Sequence, residues 1–145
     1  MLNSETPSYF AKAAFNGDFH QMQQFIDAGV DIDAAGTNGN ALFLAVENAN
    51  AEVVNYLLSL GADPNIPFNG FYPIHLAIDI EVESFNNTGI YPEPLAFITY
   101  VLLMAGADIN SVSHYGETPL KMARRRGHKQ ATSLLESKGA LAEIS

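Results

Sequence analysis

Apolar side chains recur at helical spacing in three similar stretches: Met22, Phe25 and Ile26; Val54, Leu57 and Leu58; and Leu102 and Leu103 with Thr99 in the matching place. Residues at i, i+3 and i+4 share one side of a helix, so each stretch predicts an amphipathic helix with one face to bury. A second kind of helical stretch precedes the later ones: NALFLA from Asn40, YPIHLA from Tyr72 and TPLKMA from Thr118. Thr118 is a good N-cap and Pro119 a good first helical residue; Thr6-Pro7 repeats the arrangement, and Asn40 caps without proline. Pro73 and Pro94 sit where first-turn prolines are tolerated. Gly29, Gly61, Gly106 and Gly139 follow apolar helices and predict left-handed closure, and the Asp, Asn and Pro after them favour turn and extended backbone. The pattern reads as helix, turn, helix and loop, repeated.

The closing glycines open related blocks, GVDID, GADPN, GADIN and a degenerate GALAE, separated by 32, 45 and 33 residues. Two gaps near 33 and one longer by about a dozen point to a regular array with one insertion. One helical hairpin cannot bury such a face alone. Ala13, Ala14, Ala45, Ala77 and Ala123 on the first helices allow close approach of the next hairpin, so stacking is expected to create the core. At the ends, Gln21 and Gln24 replace the apolar residues of the middle units, and Glu136 replaces a leucine, as expected of polar caps on a complete array.

These landmarks resemble the ankyrin-repeat family. Gly116-Glu117-Thr118-Pro119-Leu120-Lys121-Met122-Ala123 with Gly127-His128 is similar to its turn and first helix, and Gly61-Ala62-Asp63-Pro64-Asn65 and Gly106-Ala107-Asp108-Ile109-Asn110 to its closing block. The resemblance implies an all-α solenoid of four helix-turn-helix units with projecting hairpin-like loops, and a role in binding proteins. It places the units at about 8–35, 36–66, 67–112 and 113–140 of one domain spanning 1–145, with His75 hydrogen-bonded to the adjoining loop. Departures are Asn40-Ala41 for Thr-Pro, Ala49 for the glycine closing the first helix of the second unit, Phe71-Tyr72 before the third unit's proline, and an insertion at 81–93, EVESFNNTGIYPE.

Charge adds a direction. Residues 1–120 hold one basic side chain, Lys12, against 14 acidic ones, while 121–145 hold six basic against two acidic, for a net charge of -9. An acidic surface repels phosphate backbones and attracts basic partners, so a basic protein is the expected counterpart and nucleic acid is not. The absence of cysteine excludes disulfides and thiol chemistry. The chain begins without a basic or apolar leader, and its longest nearly apolar run, Leu95 to Ala107, is 13 residues. A soluble cytoplasmic protein without membrane attachment, monomeric when free, is expected.

Little points to catalysis, and no cofactor or metal is expected. His20, His75, His114 and His128 lack ligand spacing, and Glu81, Glu83 and Glu93, the carboxylates of an enzyme alternative, lie in an apparent loop. Asn86–Thr88 matches a glycosylation pattern and reads as polar loop. Arg124-Arg125-Arg126 closes a first helix, where cations favour the helix dipole. Asn86-Asn87-Thr88-Gly89 predicts a protruding turn with Phe85 and Tyr91 at its base, either covering Ile78 and Ile80 or binding a partner.

By resemblance, partners meet the loop tips and the exposed side of the first helices. In the second unit that surface is Thr37, Asn38, Asn40, Glu47 and Asn48. In the third it is Phe68, Asn69, Phe71, Asp79 and Ile80, and in the fourth His114, Tyr115, Glu117, Arg125 and Arg126. Phe68, Phe71 and Tyr115 are the residue types that anchor interfaces. The expectation is a non-catalytic binder of a basic protein, of inhibitor or immunity type, through units two to four and the insertion, with a scaffold or regulatory subunit as the alternative.

Overall fold

The computed structural model describes residues 2–143. They form four helix pairs: α1 (Thr6–Asn16) with α2 (Phe19–Asp27), α3 (Ala41–Glu47) with α4 (Ala51–Ser59), α5 (Pro73–Thr88) with α6 (Phe97–Met104), and α7 (Pro119–Arg126) with α8 (Lys129–Ser137). First helices α1, α3, α5 and α7 stack in chain order, and α4, α6 and α8 pack side by side behind them. Each predicted small residue, Ala13, Ala14, Ala45, Ala77 and Ala123, is fully buried, which lets neighbouring first helices approach. Met22, Leu57, Leu102 and Leu135 fill the space between the layers, each without exposure.

The repeated closing block has a structural reason. Its fifth residue carries a side-chain oxygen that accepts from the backbone N–H two residues after the next block's glycine. Asp33 Oδ1 takes Asp63 N at 2.9 Å, Asn65 Oδ1 takes Asp108 N at 2.7 Å, and Asn110 Oδ1 takes Leu141 N at 2.9 Å. These bonds satisfy loop donors that no helix or sheet reaches and fix the offset between pairs.

Asn40 and Thr118 cap α3 and α7 as expected, accepting from Phe43 N at 2.9 Å and Lys121 N at 3.2 Å. The start of α1 differs. Thr6 lies inside the helix and Asn3 Oδ1 accepts from Glu5 N and Thr6 N, because Asn3 can reach both orphan donors. Pro94 is no first-turn residue either, since α6 opens at Phe97 after the chain has returned from the insertion.

The insertion is half helix. The turn expected at 86–89, and the polar loop at Asn86–Thr88, are overturned because Ala77, Ile78, Glu81, Val82 and Phe85 continue the helical period with no glycine to stop it. Helix α5 therefore runs 16 residues, and Gly89, at φ 59°, ends it by donating to Phe85 O at 2.7 Å.

Candidate protein-binding surface

The hairpin loops organise the concave side. Asn69 and Gly70 both take positive φ, 50° and 80°, the geometry of a type I′ turn, and Phe68 and Phe71 exchange both backbone hydrogen bonds at 2.9 and 3.0 Å. The two rings meet different neighbours. Phe68 meets Phe43 edge-on with centroids 5.3 Å apart, and Phe71 meets Tyr115 at 5.6 Å. The next loop docks directly, His114 N donating to Gly70 O at 2.7 Å, and a methyl at Gly70 would strike the His114 side chain. Tyr115 remains 74% exposed.

A depression of about 660 Å³ opens between α1, α3 and these loops, lined by Tyr9, Lys12, Phe15, Phe43, Glu47 and Phe68 with Thr37 and Asn38 at its edge. Tyr9 and Phe15 are absent from the expected surface. The polar residues of α2 mark the first pair as a cap, yet α1, on the other layer, turns aromatic rings into the groove. Thr37 N donates to Ser8 Oγ at 3.0 Å and Asn48 Nδ2 to Phe15 O at 2.6 Å, so both tie the first pair to the second. Asn40 is a correction: it is buried at 4% exposure, its oxygen is spent on the α3 cap, and it cannot meet a partner.

At the other end the expected basic contacts answer acidic ones within the chain. Arg125 donates from Nε and Nη2 to Glu117 at 2.7 and 3.0 Å, Arg126 Nε lies 2.8 Å from Asp79 Oδ1, and Arg124 Nη2 donates to Glu136 at 3.0 Å. The Arg125 hydrogen bonds hold the Glu117 carboxyl below its ordinary range, against a smaller opposing effect of burial, and raise Arg125 in turn. The Arg126–Asp79 pair joins α7 to α5 beside half-buried Ile80. His75 is buried, and its Nε2 lies 3.0 Å from Glu117 O, in line with the loop contact the resemblance implies.

Phe85 and Tyr91 belong elsewhere. They line a separate cavity of about 400 Å³ with Ala49, Ala51, Leu95 and Phe97, and no residue of it lines the concave depression. Because α5 is extended, the insertion lies beside the starts of α4 and α6, away from the concave depression. Of the insertion's carboxylates, Glu81 and Glu93 both line that cavity, but Glu81 is buried against Thr99 and His128 and Glu93 accepts from Gln130, while Glu83 is exposed. The loop position expected for Glu81 is thus overturned by the helical period that carries it inward.

Among the described residues, no helix is long and apolar enough to cross a membrane, and no three His, Cys, Asp or Glu side chains cluster as metal ligands would. A family profile described as "Ankyrin repeats (3 copies)" matches residues 10–83, just over half of the 145 residues. The chain belongs to the ankyrin-repeat family. The stacked pairs, hairpin tips and loop ladder of this ankyrin-repeat chain continue beyond the matched span to α8. It is 27% identical over 139 residues to cyclin-dependent kinase 4 inhibitor B of Mus musculus, covering 94% of this chain and 97% of that protein. The Homo sapiens protein of that name is 28% identical over 129 residues, 88% of this chain and 84% of its own length. Ankyrin repeat, SAM and basic leucine zipper domain-containing protein 1 of Mus musculus is 30% identical over 125 residues, 86% of this chain but 25% of that protein.

Proposed function

We propose that this ankyrin-repeat chain is a non-catalytic inhibitor, a single domain of four units that is monomeric in the cytoplasm and masks a functional surface of a basic protein. The observation that carries the reading is the concave depression, where Tyr9, Phe15, Phe43 and Phe68 offer aromatic contact between the Lys12 and Glu47 side chains. Aromatic anchors in a groove with a charged rim are the usual makings of a specific interface. The net charge of -9 favours a basic counterpart and speeds its encounter. The likeness to cyclin-dependent kinase 4 inhibitor B over almost the full length of both chains supports inhibition as the outcome; an immunity-type inhibitor, paired with one basic toxin or nuclease, is the version that best suits a small acidic domain.

The second reading, a scaffold, draws on the relative in which a matching region forms a quarter of a longer protein. Capture of the partner on immobilised protein, followed by assay of the partner's activity with and without an equimolar amount of this chain, separates the two. Inhibition is expected, with Phe68→Ala or Tyr9→Ala weakening capture about tenfold or more. An acidic partner, or capture indifferent to both substitutions, overturns the groove model; full activity in the complex transfers the case to the scaffold.

A further inference from the structure

Phe97, Tyr100 and Met104 stand nine, six and two residues before Gly106, the glycine that closes α6. The same places before Gly29 hold His20, Gln23 and Asp27; before Gly61 they hold Glu52, Asn55 and Ser59; before Gly139, Gln130, Ser133 and Ser137. Every other pair is therefore polar where the third is apolar. The spacing sets the three side chains on one side of α6, opposite buried Ile98, Thr99 and Leu102, and they are 52%, 46% and 59% exposed. Isolated exposed apolar residues need no explanation, but this stripe is continuous with exposed Leu95 and with Tyr91 of the insertion, and contiguous patches mark interaction sites.

Two shallow grooves flank the stripe. One, about 400 Å³, lies between the starts of α4 and α6 and the extension of α5; the other, about 390 Å³, lies between α6 and α8 and includes Tyr100 and Leu134. Leu95 and Phe97 line both and form the ridge between them. No Lys or Arg lines either groove; Glu81 and Glu93 line the first, with exposed Glu52 beside Ala51 at its border, while exposed Lys129 stands beside Gln130 of the second, so the acidic edge belongs to the first groove.

We propose that this outer face of the third helix pair is a second docking site, and that its occupant is a basic amphipathic helix of a partner protein. Such a helix lays an apolar row into a groove and keeps cationic side chains at the edge, where Glu52 and Glu93 receive them. A second copy of this chain and an anionic membrane are both disfavoured by the charge of -9 that each copy carries. The site shares no residue with the concave depression, so the two assignments fail independently.

The test uses the full chain and a fluorescent amphipathic Leu/Lys helical peptide read by anisotropy, with a Leu/Glu helix and a scrambled Leu/Lys sequence as controls. The triple variant Phe97→Gln, Tyr100→Asn, Met104→Ser installs residues that other pairs carry at those places and leaves the charge unchanged; circular dichroism confirms its fold. Saturable binding of the Leu/Lys helix alone, weakened about tenfold or more in the triple variant and unaffected by Phe68→Ala, is the expected result. Equal affinity of wild type and triple variant, or equal binding of the Leu/Glu helix, overturns the proposal. So does a sedimenting dimer that the triple variant dissociates, or stripe-dependent association with phosphatidylserine vesicles, since each names a different occupant.

Discussion

Glu81 Oε1 and His128 Nε2 lie 3.1 Å apart, both buried, across 47 positions of the chain. His128 Nδ1 accepts from Ala131 N at 3.3 Å, so the ring proton sits on Nε2 and is donated to the carboxylate. The other oxygen accepts from Ile98 N and Thr99 N at 2.9 and 3.2 Å, and the Thr99 hydroxyl donates to Oε1. Second helices are otherwise capped by the residue just before them: Asp18 for α2, Asn50 for α4 and His128 for α8. The insertion leaves Ala96 in that place, and Glu81 reaches from α5 to do the work. It thereby binds the third pair internally and to the fourth.

Removing that carboxylate strands four donors in a buried site at the edge of the insertion cavity, so Glu81→Ala is expected to destabilise the chain by about 3–5 kcal/mol. An ordinary cap is worth about 1 kcal/mol, the loss expected for Asn50→Ala. Glu81→Gln keeps one acceptor and falls between them. Urea denaturation of the three variants orders them; a Glu81→Ala loss no larger than that of Asn50→Ala would show that the cluster is replaceable by water.

Ala49 occupies the left-handed region at φ 54°, where the equivalent ends of α1 and α7 have Gly17 and Gly127. A side chain there is strained by about 1–2 kcal/mol, while glycine gives back about 0.5–1 kcal/mol through the freedom of the unfolded chain. Ala49→Gly is therefore expected to raise stability by about 0.5–1 kcal/mol. The midpoint of chemical denaturation should move upward with no change in slope; a downward move would mean that the Ala49 methyl, which lines the insertion cavity, contributes more than the strain removes.

The architecture was legible because it is local and repeated. Gly29, Gly61, Gly106 and Gly139 do close helices at positive φ, and Thr118 does cap. The insertion was misread because Asn-Asn-Thr-Gly has the same composition in a turn as in a helix end, and the apolar period beneath it outweighs that preference. Glu81 was hidden for a related reason: its value depends on Thr99 and His128, which only the tertiary fold brings to it. The concave surface was partly legible, since Phe68 and Glu47 line the depression, but Tyr9 and Phe15 lay in a pair whose outer helix carries the polar cap residues. The arginines were recognised as helix-end cations, whereas the Arg126–Asp79 pair comes from the stacking of neighbouring pairs and the Arg125–Glu117 pair from the loop that leads into the same helix.

Gly70 supports two neighbours at once, its positive φ closing the Phe68–Phe71 turn and its bare Cα admitting His114. Gly70→Ala strains the backbone and pushes the next loop away, at an expected loss of about 1–3 kcal/mol. Loss of the Phe71–Tyr115 contact should accompany it, visible in the ring resonances of both by NMR. Gly29 has open space where a Cβ would stand, so Gly29→Ala controls for backbone strain alone and should leave those rings undisturbed.

His75 provides the pH dependence. Burial lowers its affinity for a proton below the usual 6.5, outweighing the opposing pull of its hydrogen bond to the Glu117 backbone and of the Glu117 charge. Above the unfolded value the ring is neutral in both states and no proton linkage acts. As pH falls through about 6.5 the unfolded chain takes up a proton that the folded chain resists, so stability declines, by up to about 1.4 kcal/mol per pH unit until the folded ring also titrates. His75→Gln removes that titration and destabilises the chain at neutral pH by loss of packing. The stability gap between wild type and variant is therefore expected to narrow from pH 7.5 to 5.5 in urea denaturation, with carboxylate and other histidine contributions common to both. A gap that stays constant over this interval would mean that the folded protein protonates His75 as readily as the unfolded chain does.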